Sequence, residues 1–339
     1  MCQVFYALIS NLSPALSIGL CCLIMLSFVL VKHMTLPLTD VSFLGLFTLA
    51  VLLISRVRDE EGKMKWKWLG LALLLTVAAT TVRTAGVALL PAFAWVVGLP
   101  LLAGIDKFRK KHAIVLWSSL FGLLLFGLAS GFFISKTQYF AEMKSVYFHD
   151  GVSGRLLKNL IGHTTDMGEI GINMPAAKAP ASLKPVIPLA GVLLIGIILR
   201  GVWLRRRFFG VLEITLLTYG GLIFVWPYLD ARFWLPALPL FTGFIALALV
   251  DAAKTQIFKF AGIALCVWFV VAGSAALAYS TRISLAGNRF AEVYGDGSLR
   301  PTYRAAFSGK TNGVENTEAI FLLKRYDTRT QNASAGPSI

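Results

Sequence analysis

Apolar residues along this chain come in long blocks, broken by short stretches where charge, proline or glycine gathers. The blocks fall near 12–31, 36–54, 68–82, 85–103, 113–134, 186–204, 210–229, 233–250 and 260–280. A helix crossing a bilayer takes roughly 20 mostly apolar residues, so the pattern predicts about nine transmembrane helices in an all-α, polytopic integral membrane protein. Pro37, Pro185 and Gly210 mark several of the boundaries. Composition agrees: 57% of residues are hydrophobic and only 14% charged, outside the balance of a soluble domain.

The charges orient the helices. With Arg56, Arg58, Lys63, Lys65 and Lys67 on the cytoplasmic side, strict alternation brings Lys107, Arg109, Lys110 and Lys111 there. Arg200, Arg205, Arg206, Arg207, Lys254 and Lys259 follow, while the opposite short loops hold only Lys32, Arg83 and Arg232. Excess Lys and Arg marks cytoplasmic loops, so the N-terminus is expected inside and the C-terminus outside. The net charge of +15 would fit nucleic acid only if the basic residues shared one solvated face. They fall instead in clusters between apolar runs, which excludes nucleic acid as a partner.

This topology predicts a transmembrane domain over residues 1–281 with an extracytoplasmic loop at 135–184, and an extracytoplasmic tail at 282–339. The loop holds a helix-like "SGRLLKNLIGH" and then "MPAAKAPASLKP", whose prolines suit an extended return to the membrane. The end of the tail, "TQNASAGPSI", reads as disordered, and Asn332 in it starts a three-residue glycosylation sequon of the kind that arises by chance. No basic n-region with a small-residue cleavage site opens the chain, so the first hydrophobic run is expected to be retained. Cys2, Cys21, Cys22 and Cys266 lie in or beside apolar runs, without metal-type spacing. There is no inverted repeat of the transporter kind.

Ionisable residues at membrane depth cost free energy, so those beside spans either sit at an interface or do a job. Three outer corners carry them: Asp40 in "LPLTDVSFLGLF", Arg83 in "AATTVRTAGVALLPAF", and Asp230 with Arg232 in "VWPYLDARFWLPALPLF". Plain interface chemistry would have Asp40 and Asp230 cap helices and Arg83 snorkel to headgroups. The alternative gathers Arg83 and Arg232 around a phosphate, which guanidinium groups clasp bidentately, with Asp40 or Asp230 holding the forks in place. Trp226, Tyr228 and Trp234 flank the last corner as an aromatic belt or as a stacking platform for a sugar or prenyl unit. Glu213 is expected near Arg205, Arg206 and Arg207.

In order and spacing, "LTDVSFLGLFTLAVLLISR", "LLLTVAATTVRTAGVALLPAFAWVV" and "YLDARFWLPALPLFTGFIAL" resemble the type C glycosyltransferase superfamily, which includes the protein O-mannosyltransferases and the aminoarabinose transferases. The likeness covers roughly residues 12–250 and rests on short, degenerate motifs. It places Asp40 at the family's acid, Arg83 at its Thr-Arg site and Arg232 before its Leu-Pro-x-x-Pro helix. It implies transfer of a sugar from a polyprenyl-phosphate donor to an acceptor at the extracytoplasmic face. Arg83, Tyr228, Asp230 and Arg232 would then bind the lipid phosphate.

A carboxylate base is also required. The family's usual acid lies in a first outer loop, and no acid precedes Asp40 here, so the resemblance implies a member shortened at its N-terminus, first helices that come from elsewhere, or another carboxylate in that role. Asp40 and Asp150 stand as catalytic candidates, with Asp166 and Glu169 behind them. His149, Asp150, His163 and Asp166 have no ligand-type spacing, so neither a metal site nor a cofactor is expected. The expected partners are the lipid-linked sugar donor and membrane lipids, in a bacterial inner membrane, with the acceptor left open. Competing readings are a ligase or polymerase of lipid-linked glycans, a transporter or flippase, and a non-catalytic truncated member.

Overall fold

The computed structural model describes residues 1–9, 12–34, 39–58, 64–103, 144, 146–148 and 151–285. The span expected at 113–134, the tail from 286, and His149 and Asp150 lie outside the described residues. Among those described, every regular element is helical; the one β feature is an isolated antiparallel bridge between Arg58 and Met64. The chain divides into two compact units, Met1–Ser274 and Ala275–Ile339, and everything below concerns the first.

Its α-helices are α1 (Cys2–Leu8), α2 (Pro14–Met25), α3 (Phe28–Met34), α4 (Asp40–Ser55), α5 (Trp66–Val82), α6 (Leu90–Ala103), α7 (Val152–Ile172), α8 (Val186–Leu204), α9 (Val211–Val225) and α10 (Leu238–Ala252). The first part of α11 (Gln256–Leu285) follows. Short 3-10 turns precede α6 and α10, at Thr84–Leu89 and Ala231–Ala237. Among the described residues, three segments are long and apolar enough to cross a membrane: Val186–Leu204, Ala231–Ala252 and Lys259–Arg282. Several of the remaining apolar helices, Asp40–Ser55, Trp66–Val82 and Val211–Val225 among them, are shorter.

The run expected as one span at 12–31 is broken. Ser13 caps α2 by accepting from the Leu16 amide at 3.2 Å, with Pro14 in the first turn. The helix then stops, and α3 departs at 62°. A break inside a buried segment leaves backbone groups without partners. Here one side chain supplies them. The Asn173 amide accepts from the Phe28 N–H at 2.7 Å and donates to the Leu26 carbonyl at 3.0 Å, standing in for the missing peptide contacts. It also donates to the Phe269 carbonyl of α11 at 3.0 Å. Asn173 ends α7 in the left-handed region, with φ of 54°, where Asn is among the residues best tolerated. Helix α11 passes so near that a Cβ on Gly273 would stand 2.1 Å from the Leu26 carbonyl oxygen.

The segment expected to be a loop at 135–184 contains α7, which packs along α8 with backbone against backbone. A Cβ on Gly168 would fall 1.9 Å from the Ile187 carbonyl oxygen, and one on Gly191 would fall 1.8 Å from that of Thr164. Helix α4 is the central element: Phe43, Phe47, Ala50, Val51 and Ile54 are buried along it, against α5 and the 231–237 turn.

The two ends of α4 differ in chemistry. At its C-terminal end, Arg56 donates to Gln3 of α1 at 2.5 Å, and Arg205 donates to the Ala7 carbonyl at the other end of α1. Arg205 also pairs with the buried Glu213 at 3.0 Å, as the sequence leads one to expect. Its N-terminal end, about 24 Å away at 1.5 Å per residue, carries Asp40.

Candidate anion site at the outer corners

Asp40 is the first residue of α4 and is 2% exposed. Thr39 holds the capping position without a side-chain bond, which leaves the Asp40 carboxylate free to turn sideways. It meets the Arg83 guanidinium in an ion pair. Arg83 stands in extended backbone between α5 and the 84–89 turn. The chain doubles back there so tightly that a Cβ on Gly86 would come within 2.6 Å of the Thr80 nitrogen. This is the physical content of "TVRTAG": a glycine three residues on lets the arginine occupy the apex.

The second arginine is built differently. After α9, the stretch Trp226–Leu229 leads to Asp230, whose carboxylate caps the next turn by accepting from the Arg232 amide at 2.9 Å. The same carboxylate lies 3.4 Å from Arg232 Nε, an ion pair without hydrogen-bond geometry. Tyr219 of α9 donates to the Phe233 carbonyl at 2.6 Å and pins the turn. Both guanidinium groups then converge on the Phe233 ring, with Cζ of Arg83 at 5.5 Å and Cζ of Arg232 at 5.1 Å from its centroid. Each cation–π contact contributes about 0.5–1 kcal/mol when exposed and more when desolvated.

Three further side chains hold the backbone just upstream. Tyr147 donates to the Val225 carbonyl at 2.5 Å, His163 Nε2 lies 3.1 Å from the Trp226 carbonyl oxygen, and Arg155 donates to the Pro227 carbonyl. The last carbonyls of a helix lack intrahelical partners, and here three consecutive ones at the end of α9 are taken by side chains. Arg155, Asn159 and His163 are four residues apart, so they share one stripe of α7. Asn159 completes it by donating to the Tyr147 hydroxyl at 3.2 Å.

Other charges gather around the two arginines. His33, at the end of α3 and 2% exposed, feels Lys32, Asp230, Asp40 and Arg232. Glu169 feels Asp166, Lys32 and Asp230. Burial pushes the Glu169 and Asp166 carboxyls above their ordinary values; bonds from the Ala176 amide and from His163 oppose the shift. Two buried polar atoms of the cluster, His33 Nδ1 and Arg232 Nε, find no hydrogen-bond partner among the described residues. Buried polar atoms are nearly always satisfied, so unpaired ones in one place mark a position for a ligand or water.

Comparison of the chain with protein-family models, curated proteins and solved structures finds no match. The site is therefore read from its own residues.

Asp40, Arg83, Asp230 and Arg232, expected to meet from their places at the ends of apolar runs, are brought together: the two ion pairs share the Phe233 ring through their arginines. Tyr228 stays at the edge, 38% exposed, with its ring 6.0 Å from that of Trp226. Asp150 falls outside the described residues. Asp40 does not cap its helix and serves as the partner of Arg83. Asp230 both caps and pairs. No group of three or more His, Cys, Asp or Glu able to hold a metal ion occurs among the described residues. His163 and Asp166, which lack ligand-type spacing in the sequence, pair with each other at 3.1 Å. His33 joins the cluster without any signal in the sequence pattern. The carbonyl-holding stripe of α7 was signalled only by the four-residue spacing in "RLLKNLIGH".

Beside the site, α2, α8, α10 and α11 enclose an apolar groove of about 470 Å³, lined by Leu20, Ile24, Leu194, Phe241 and Ile263 among others. It extends to Ser27, Ile170 and Leu238, the last being the residue directly after the 231–237 turn.

Proposed function

We propose that this chain is a membrane glycosyltransferase that takes a sugar from a polyprenyl-phosphate donor and passes it to an acceptor at the extracytoplasmic face of a bacterial inner membrane. One observation carries the reading: Arg83 and Arg232 share the Phe233 ring while Arg232 Nε and His33 Nδ1 remain buried without hydrogen-bond partners among the described residues. A guanidinium has five N–H donors, and Asp40 and Asp230 each occupy only part of that set. The remaining donors suit phosphate oxygens. The apolar groove, within the size range of ligand pockets, suits the hydrocarbon chain of such a donor. In this reading about nine helices cross the bilayer with the N-terminus inside, and Arg56 and Arg205 at the far end of α4 face the cytoplasm.

In the reaction, the acceptor hydroxyl attacks the anomeric carbon. The bond from that carbon to the phosphate oxygen breaks, and the phosphate leaves with the electron pair. Arg83 and Arg232 stabilise the charge on the departing phosphate. The hydroxyl proton passes to a carboxylate, for which Asp150, Asp166 and Glu169 are the candidates once Asp40 is committed to Arg83.

The test uses the full chain in nanodiscs with undecaprenyl phosphate as the probe. Arg232→Ala should weaken binding by about tenfold to a hundredfold, the equivalent of one or two charge-assisted hydrogen bonds. Because Arg83→Ala leaves Asp40 buried without its partner, the Asp40→Asn/Arg83→Gln double variant accompanies it. Undiminished binding in folded Arg232→Ala and in the double variant overturns the proposal.

A further inference from the structure

His163 is fully buried, with 0% of its side chain exposed, and both ring nitrogens are engaged. Nε2 faces the Trp226 carbonyl oxygen at 3.1 Å, and Nδ1 faces Asp166 Oδ2 at 3.1 Å. The ring is wedged edge-on to Phe224 and Trp234, with centroids at 6.0 and 5.8 Å, so it cannot turn to find other partners. A carbonyl oxygen only accepts, so the Nε2 contact is a hydrogen bond only when Nε2 carries a proton. A neutral imidazole then offers a bare lone pair at Nδ1. That lone pair can meet Asp166 only through a second proton, carried on Nδ1 or on the carboxyl.

From this count we propose that His163 and Asp166 together hold one proton beyond that of a neutral imidazole facing a carboxylate, and that this proton makes His163 a positioning residue for Arg232. With the proton present, both bonds form and the Trp226 carbonyl is held. Without it, the single N–H of the neutral ring moves to Nδ1 to face the carboxylate, and Nε2 turns a lone pair toward the Trp226 carbonyl. The stretch from Trp226 to Asp230 is then released at its middle anchor, and Arg232 loses its fixed place over the Phe233 ring. The Tyr147 and Arg155 bonds to the neighbouring carbonyls remain in place.

The charged groups around the pair come from three elements. Glu169 lies one turn on in α7, Asp230 is on the corner, and Lys32 on α3 lies close to Glu169. The facing stretch of α8, residues 187–194, contains no ionisable side chain. Burial of Asp166 favours retaining the proton, and the negative charge of Asp230 adds to it.

The part concerning Arg232 rests on the donor-binding reading above, and the experiment separates the two. The chain has four histidines, so ¹⁵N-histidine labelling with His163→Phe for assignment reads the tautomer of His163 directly. In the wild-type chain, raising the pH should move the proton from Nε2 to Nδ1. In Asp166→Asn the side-chain amide donates to Nδ1 at every pH, so the Nε2–H form should persist throughout. In parallel, undecaprenyl phosphate binding should weaken about tenfold across the same pH range in the wild type, and stay flat in Asp166→Asn. The second ionisation of the phosphate, near pH 6, is common to both proteins and cancels in that comparison. An Nε2–H form that persists at high pH in the wild type, or a binding profile unchanged by Asp166→Asn, overturns the proposal. A wild-type chain that never binds the lipid phosphate defeats the donor reading instead, while the tautomer result still decides whether the pair holds its proton.

Discussion

Arg83 and Asp40 are 43 residues apart in the chain and form an ion pair in which the acid is 2% exposed and the arginine 21%. Neither helix end would place its charge there alone; the start of α4 and the apex after α5 need each other.

Removing one member of such a pair strands a buried charge, which typically costs about 3–5 kcal/mol. Asp40→Ala should therefore lower the melting temperature of the detergent-solubilised protein sharply. Asp40→Ala/Arg83→Ala should lose less than the two single losses added together. A double-mutant cycle in thermal unfolding checks this, and simple additivity would show that the pair carries no coupling.

Asn173 should matter out of proportion to its size. Asn173→Ala leaves the Phe28 N–H and the Leu26 carbonyl unpaired, at about 1–3 kcal/mol for each buried group. Asn173→Gly keeps the left-handed backbone at ease while removing the amide. If Gly is as damaging as Ala, hydrogen bonding is the cause; if Gly restores stability, backbone strain is.

Close helix contact makes two glycines intolerant and a third indifferent. Gly168→Ala and Gly191→Ala place a methyl inside contact distance of a carbonyl oxygen and should each cost about 1–3 kcal/mol or more by forcing α7 from α8. Gly196→Ala, with nothing within 4 Å, should not destabilise. Since α7 holds the Trp226 and Pro227 carbonyls, the first two variants should also weaken undecaprenyl phosphate binding, measured in the same preparations.

The raised Glu169 carboxyl gives a pH signature. Folding lifts its proton affinity above the ordinary glutamate value of 4.5, so its contribution to stability is full below that pH and is lost as pH rises through the higher folded value. The melting temperature should fall over that window in the wild type. Glu169→Gln should flatten this part of the profile. A wild-type curve that instead rises across the window would reverse the sign of the assignment.

The sequence made some of this visible and hid the rest for definite reasons. The run read as 186–204 is α8 to the residue, because Pro185 and the arginines from 205 bound it sharply. The meeting of Asp40, Arg83, Asp230 and Arg232 was also legible, since charges at the ends of apolar runs have few places to go. The break at Leu26–Ser27 was not: the run carries no charge, with neither Pro nor Gly at the break. The residue that makes it tolerable lies 147 positions from Leu26. Helix α7 is legible as a helix in "SGRLLKNLIGH" but reads as part of a solvated loop, because its polar residues serve carbonyls rather than water, a distinction that residue type does not record.

Phe233 has a consequence beyond holding two cations. Because Arg83 and Arg232 rest on the same ring, their separation is gauged by a rigid hexagon of carbon rather than by two limber side chains. An anion that reaches only one of them gains half the attraction, while one of matching breadth meets both at no cost in ordering. Trimming the ring, as in Phe233→Leu, would leave every charge in place and remove the ruler.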